Sequence, residues 1–329
     1  MIKTRILILS DTRGMTMDGK LPHQSADVAI HCGDLTTESK LDEFRATLQL
    51  LRKIKAPLKL VIAGNHDFTL DEPIFRSKAE EAIAHSDRKL IVRTYGDYGQ
   101  ARQLFTDARE NGIHFLDEGI HHISLANGSK LTVYASPYTP SLGDWEFQYH
   151  PDQGHHFDIP DGVDIAITHG PPRGILDRTD GRERAGCPDL SASVARSKPR
   201  IHCFGHIHEG WGAKVVAWRE KLSENPSHLT DIDNDKSHVV ELLSTLKRGR
   251  FDDDETAREK GEKARLYARQ NYCGVSLGHD GEGQQTLFVN AAIEGRDMEG
   301  SLQLPWLVDL GLSKDPGAEE LMSNNEMDN

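Results

Sequence analysis

No run in this chain approaches the roughly 20 consecutive apolar residues of a membrane-spanning helix. The opening stretch, residues 2–10, is too short for the apolar core and cleavage site of a secretory signal. Cysteine is scarce: Cys32, Cys187, Cys203 and Cys273 are widely spaced and no CxxC pair occurs. That excludes a disulfide framework and points to a reducing, cytoplasmic setting. Positive charge is the other deficit. The 39 Lys and Arg residues face 52 Asp and Glu, a formal charge of −13. Such a field repels polyanions, so neither nucleic acid nor an anionic membrane is an expected partner. If the chain handles phosphate, it needs a local positive charge, and a metal is the obvious source. Histidine, by contrast, is plentiful at 17 copies, which directs attention to metal sites.

Short apolar runs recur, each delivering polar residues at its end. Residues 6–9 precede Asp11, and 28–30 precede Gly33-Asp34. Residues 58–63 precede Gly64-Asn65-His66-Asp67, 163–167 precede Thr168-His169-Gly170, and 201–204 precede Gly205-His206-Ile207-His208. Runs of this length rich in β-branched residues read as buried strands, and in open α/β sheets ligands bind at the carboxyl edge. Between them, Leu41, Phe44, Leu48 and Leu51 fall at helical spacing within 38–55, with Thr36 or Thr37 as a candidate cap. Residues 77–84 and 101–111 read as helices, the second stopped by Gly112, and Asp189 as the cap of a short helix through Ala195. The pattern around Asn127-Gly128 reads as a hairpin, with further strands at 213–218 and 286–291. The sum is an α/β chain with two mixed sheets and helices outside. Residues 219–270 are dense in charge and read as a solvated insertion or surface loop, with helical fragments near 239–246 and 256–269; a protein-binding arm is the sharper alternative.

The strand ends supply carboxylates (Asp11, Asp34), an amide oxygen (Asn65) and imidazoles (His66, His169, His206, His208). This mixture suits Mn, Fe or Zn and needs no thiolate. A carboxylate such as Asp34 can bridge two ions, and a metal pair clamps the attacking and leaving oxygens of phosphoester hydrolysis.

The ordered series Asp11-Thr12-Arg13, Gly33-Asp34, Gly64-Asn65-His66-Asp67, His169 and Gly205-His206-Ile207-His208 resembles the calcineurin-like metallophosphoesterase superfamily, whose pattern runs D-x-H, G-D, G-N-H-D/E, H, G-H-x-H. Ser136-Pro137-Tyr138-Thr139-Pro140, Gly143-Asp144-Trp145 and His169-Gly170-Pro171-Pro172 are similar to its small branch of fungal and animal metallophosphoesterase-domain proteins. The resemblance covers roughly 4–218 and 272–293. It implies a four-layer α/β/β/α sandwich; with it, residues 1–311 read as a single domain carrying the charged 219–270 insertion, and 312–329, acidic and polar, as a flexible tail. It also implies one or two divalent ions (Mn, Fe, Zn or Mg, Mn favoured). Asp34 would bridge them, Asp11 and His208 would hold the first, and Asn65, His169 and His206 the second. His66 would protonate the leaving oxygen or bind the phosphoryl group, with Asp67 orienting its imidazole.

One position departs from the family pattern. Arg13 stands where the first motif has a ligating histidine, and guanidinium offers no lone pair. A unit cation about 5 Å from a dication repels it by several kcal/mol even at an effective dielectric near 20. Three readings follow. Arg13 turns outward and leaves a weak first site; or it replaces the first ion and also clamps phosphate; or another histidine, such as His23, supplies the ligand. The expected activity is metal-dependent hydrolysis of a small phosphodiester or phosphomonoester. The competing reading is a degenerate scaffold that binds a nucleotide or a protein. Arg173, Arg178, Arg182 and Arg184, beyond His169, are candidates to meet phosphate.

Overall fold

A computed structural model of the chain describes residues 1–83, 87–143, 146–278, 284–295 and 302–316. Its strands, in chain order, are β1 (Ile2–Leu9), β2 (Val28–His31), β3 (Leu58–Val61), β4 (Ile113–Phe115), β5 (Gly119–Ser124), β6 (Lys130–Ser136), β7 (Thr139–Pro140), β8 (Gln148–Tyr149), β9 (Ile165–Thr168), β10 (Ile201–Phe204), β11 (Gly212–Trp218), β12 (Ile232–Leu242), β13 (Cys273–Ser276), β14 (Gln285–Asn290) and β15 (Trp306–Leu312). The α-helices are α1 (Leu41–Lys53), α2 (Glu72–Ile83), α3 (Arg88–Tyr95), α4 (Gln100–Ala108), α5 (Pro188–Ser197), α6 (Leu243–Leu246) and α7 (Asp254–Gln270).

One sheet has the order β13–β15–β1–β2–β3–β4, the other β12–β11–β14–β10–β9–β6–β5. Strand periodicity of two explains how they stack. Ile6 and Ile8 of β1, Ile165 and Ile167 of β9, and Ile201 and Cys203 of β10 share one core between the sheets. The alternate residues Leu7 and Leu9 face α1 and α4, meeting Phe44, Leu48 and Phe105. Ala166 and Phe204 face α5, meeting Leu190 and Val194. The result is the α/β/β/α layering. Strands buried on both faces favour apolar side chains, which is why residues 6–9 of β1 read as an unbroken run and β2, β9 and β10 as short ones interrupted only by His31, Thr168 and His202.

Several local expectations shift. Helix α1 begins at Leu41, not Glu38: the Glu43 carboxylate accepts from the Lys40 and Glu38 N–H groups, while the Thr36 hydroxyl is committed to Asp67. Cys187, not Asp189, caps α5, its Sγ accepting from the Leu190 N–H with Pro188 in the first turn. The second helix starts at Glu72, ahead of the expected 77, and the far end of that stretch, Ala84, lies outside the described residues. Helix α3, with no fully buried side chain, and strands β4, β13 and β15 were not foreseen.

The charged stretch 219–270 is not a loop. β12 pairs antiparallel with β11 and extends the seven-stranded sheet; α7 is capped by Asp253, which accepts from the Thr256 N–H. Residues 239–242, expected as helix, continue β12, because pairing with β11 overrides local helix preference. Of the apolar residues of this segment, Val240, Leu243, Leu246 and Tyr267 pack on the central core and Ile232 joins the cluster under α5, while Leu229 and Phe251 stay exposed. Of the expected tail, residues 317–329 lie outside the described residues, as do Asp144 and Trp145.

Candidate metal centre

The parallel strands of both sheets end at one edge. β1 leads into Asp11, β2 into Asp34, β3 into Asn65 and His66, β9 into His169, and β10 into His206 and His208. The chain turns sharply at these exits: Asp11, Arg13, Asp34 and His206 all adopt left-handed backbone, with φ of 56°, 45°, 54° and 66°. Such conformations cost a non-glycine residue on the order of 1–2 kcal/mol each. Backbone bonds between the exits hold them, from Asp11 N–H to Gly33 O at 2.9 Å and from Arg13 N–H to Asp34 O at 3.1 Å.

Asp11, Asp34 and His169 form a candidate metal site, with one ligand atom from each lying within 4.8 Å of the others, all three buried. His169 Nδ1–H donates to Cys32 O at 2.9 Å, which turns Nε2 toward Asp34 Oδ1 (3.2 Å) and Asn65 Oδ1 (3.0 Å). The His206 ring packs edge-on against His169, centroids 5.0 Å apart. His208 Nε2 lies 3.2 Å from Asp11 Oδ1, and the His206 N–H donates to the same carboxylate. The packing leaves no space for larger backbone neighbours. A Cβ at Gly64 would sit 2.3 Å from Asp34 Oδ1, and one at Gly205 would sit 2.0 Å from Asp11 Oδ2.

The buried charges set which donors hold a proton, and an ion at His169 Nε2 would have to displace one. Burial alone would raise the Asp34 carboxyl, but His169 and Arg13 hold it well below the usual carboxylate range. Burial would lower His169, yet Asp34 and Asp11 raise it to about 9. Burial, with His169 beside it, lowers His206 to about 4, so its nitrogen lone pair is free at neutral pH. Carboxylate and amide oxygens with imidazole nitrogens in one buried cradle fit a borderline divalent ion.

Arg13 lies inside this cluster. One terminal nitrogen, Nη2, is 3.2 Å from Asp34 Oδ2, the other, Nη1, is 3.3 Å from His66 Nε2, and Nε is 2.6 Å from Glu294 Oε2. The outward-turned arginine is therefore not the observed arrangement. His23 is exposed, and its carbonyl accepts from Lys55 Nζ at 3.2 Å, so it does not reach the site.

Asp67 does not orient His66. Its carboxylate turns into the protein and accepts from Thr36 N–H and hydroxyl (2.9 and 2.7 Å), Leu35 N–H (3.0 Å) and Gly64 N–H (2.8 Å). It ties the β2 and β3 exits together, satisfying buried donors that loops otherwise leave open. The group that orients the imidazole is the Thr37 carbonyl, 2.7 Å from His66 Nδ1. A backbone carbonyl leaves no residue-type signal, so no sequence pattern could reveal it. Glu294, just beyond β14, was also missed, since a single acidic residue in a connection carries no motif. Beside His66 opens a cavity of about 380 Å³, walled by Thr37, Glu38, Asn65, Phe68 and Tyr95. Of the expected arginines, Arg184 is committed to buried Asp177 at 2.8 Å.

A profile of the family described as "Calcineurin-like phosphoesterase" matches residues 5–210. That span takes in every clustered residue above except Glu294. Metallophosphoesterase domain-containing protein 1 of Homo sapiens is 34% identical over 219 residues, 64% of this chain and 62% of that protein. A UPF0046 protein of Caenorhabditis elegans is 32% identical, covering 67% of this chain and 55% of that one. Probable rhamnogalacturonate lyase C of Emericella nidulans is 33% identical over 65% of this chain but only 18% of its own length. The chain thus spans less than two thirds of the length of these relatives.

Proposed function

The chain belongs to the calcineurin-like phosphoesterase family, and from that premise we propose that it hydrolyses a small phosphodiester or phosphomonoester at a centre with one divalent ion. Asp34, Asn65, His169 and His206 would hold the ion; half oxygen and half imidazole, this donor set suits Mn, Fe or Zn better than Mg, and Mn is the ion we propose. When bound, the ion supplies Lewis acidity and a water of lowered pKa. Arg13 presents a guanidinium between Asp34 and His66, placed to clamp phosphoryl oxygens and to stabilise the charge that grows on them. His66 keeps Nδ1–H on the Thr37 carbonyl, so Nε2 faces the site; once it carries a second proton, in place of its contact with Arg13 Nη1, it delivers that proton to the leaving oxygen as the ester P–O bond breaks. The cavity beside it gives room for the ester arm.

The observation that carries this reading is the convergence of buried donors from both sheets onto one point, with the arginine against it. The second reading, a scaffold that binds without turnover, draws on the same arginine, which already engages Asp34 and His66. Equilibrium dialysis against Mn²⁺ tests the centre: one tightly bound ion per chain, lost in Asn65→Ala, is expected, and two ions in the natural chain would contradict it.

A further inference from the structure

Arg13 is held at three points from three strand exits. Nη2 meets Asp34 beyond β2, Nη1 meets His66 beyond β3, and Nε meets Glu294 beyond β14. An arginine side chain has several free rotors, and one ion pair leaves most of that freedom intact. Carboxylates beside two of its three nitrogens restrict where the guanidinium sits, Asp34 by a hydrogen bond and Glu294 as an ion pair whose Nε–H is not aligned on the carboxylate. Glu294 is suited to that restraining role. Its side chain is 39% exposed, so it is reachable and not part of the core, and the same Oε2 lies 3.6 Å from His208 Nδ1.

We propose that Glu294 is a positioning residue that locks Arg13 into the orientation in which the guanidinium receives the phosphoryl group. This rests on the reading of Arg13 as the phosphate clamp. The sign of the effect is diagnostic. A carboxylate near a phosphate site repels phosphate, so removing it directly would tighten binding. A loss of affinity on removing Glu294 must therefore act through Arg13.

The test is calorimetric titration of inorganic phosphate into the Mn²⁺-loaded full chain and into the metal-free chain, using Glu294→Gln, Arg13→Ala and the double variant, with melting temperatures verifying the fold. Glu294→Gln is expected to weaken phosphate about tenfold, the scale of one charge-assisted contact. Arg13→Ala is expected to weaken it at least as much, and the double variant no further than Arg13→Ala. Unchanged or tighter binding in Glu294→Gln, with Arg13→Ala still weakened, overturns the positioning role and leaves the clamp. An equal loss from Glu294→Gln in the Arg13→Ala background also overturns it. No effect of Arg13→Ala removes the clamp and the proposal with it.

Discussion

Replacing Asp67 by asparagine should cost fold stability and leave the chemistry of His66 untouched. The carboxylate accepts four hydrogen bonds from Leu35, Thr36 and Gly64. Burial and the neighbouring Asp34 charge push this carboxyl up to about 7, against those donors, so the comparison belongs at pH 8, where it is ionised. An asparagine turns one NH₂ against two of the four donors. Two hydrogen bonds to a charged acceptor go, at roughly 1.5–3 kcal/mol each, a gross loss of about 3–6 kcal/mol. Asparagine also relieves the buried charge and its repulsion with Asp34, about 4 kcal/mol for a carboxyl raised from 3.8 to about 7, so the expected net loss is on the order of 1 kcal/mol. Urea unfolding of the natural chain and Asp67→Asn measures it, alongside the pH–rate profile of the folded variant. A displaced pH–rate limb in the folded variant would refute the reasoning and return Asp67 to the side of His66.

Gly64→Ala places a Cβ 2.3 Å from the Asp34 backbone nitrogen and Oδ1. It should lower stability by about 2 kcal/mol or more and abolish Mn²⁺ uptake in dialysis; normal melting and uptake would count against the packed cradle. Arg13→His removes a cation and restores a lone pair beside Asp11 and His208, so bound Mn²⁺ should rise from one to two per chain; unchanged stoichiometry would mean that Arg13 does not exclude an ion. His202 of β10 lies buried beside Phe288 of the adjacent strand β14, lowered to about 3 by burial. Its native pKa lies below the unfolded value, so the unfolded chain takes up a proton that the native one refuses, and stability is complete above about pH 6.5 and falls as pH drops toward 3. By pH 5 this amounts to about 2 kcal/mol, and His202→Gln should flatten that slope in urea titrations between pH 7 and 5.

The core strands and their order along the chain were legible because strands buried on both faces leave nearly continuous apolar runs, as at residues 6–9 of β1 and at Ile201–Phe204, where only His202 interrupts. The site was legible for a related reason: each such run ends in residues whose side chains can ligate, and those ends share one sheet edge. What the sequence hid depended on partners far along the chain. β12 is polar at most positions and becomes a strand only beside β11. Asp67 looked like a companion of His66 because it is adjacent, yet its donors lie three residues back at Gly64 and some thirty back at Leu35 and Thr36. Glu294 reaches Arg13 across 281 positions, and no local pattern encodes that contact.

The central claim, metal-dependent phosphoester hydrolysis, is tested most directly by following release of 4-nitrophenol from bis(4-nitrophenyl) phosphate and 4-nitrophenyl phosphate, with Mn²⁺ and after chelation. The natural chain should turn over at least one of them only with metal, and both Asn65→Ala and His66→Ala should lose that rate by about 100-fold or more. A folded natural chain that stays inactive with Mn, Fe, Zn and Mg alike, or a rate that survives in both variants, would contradict it.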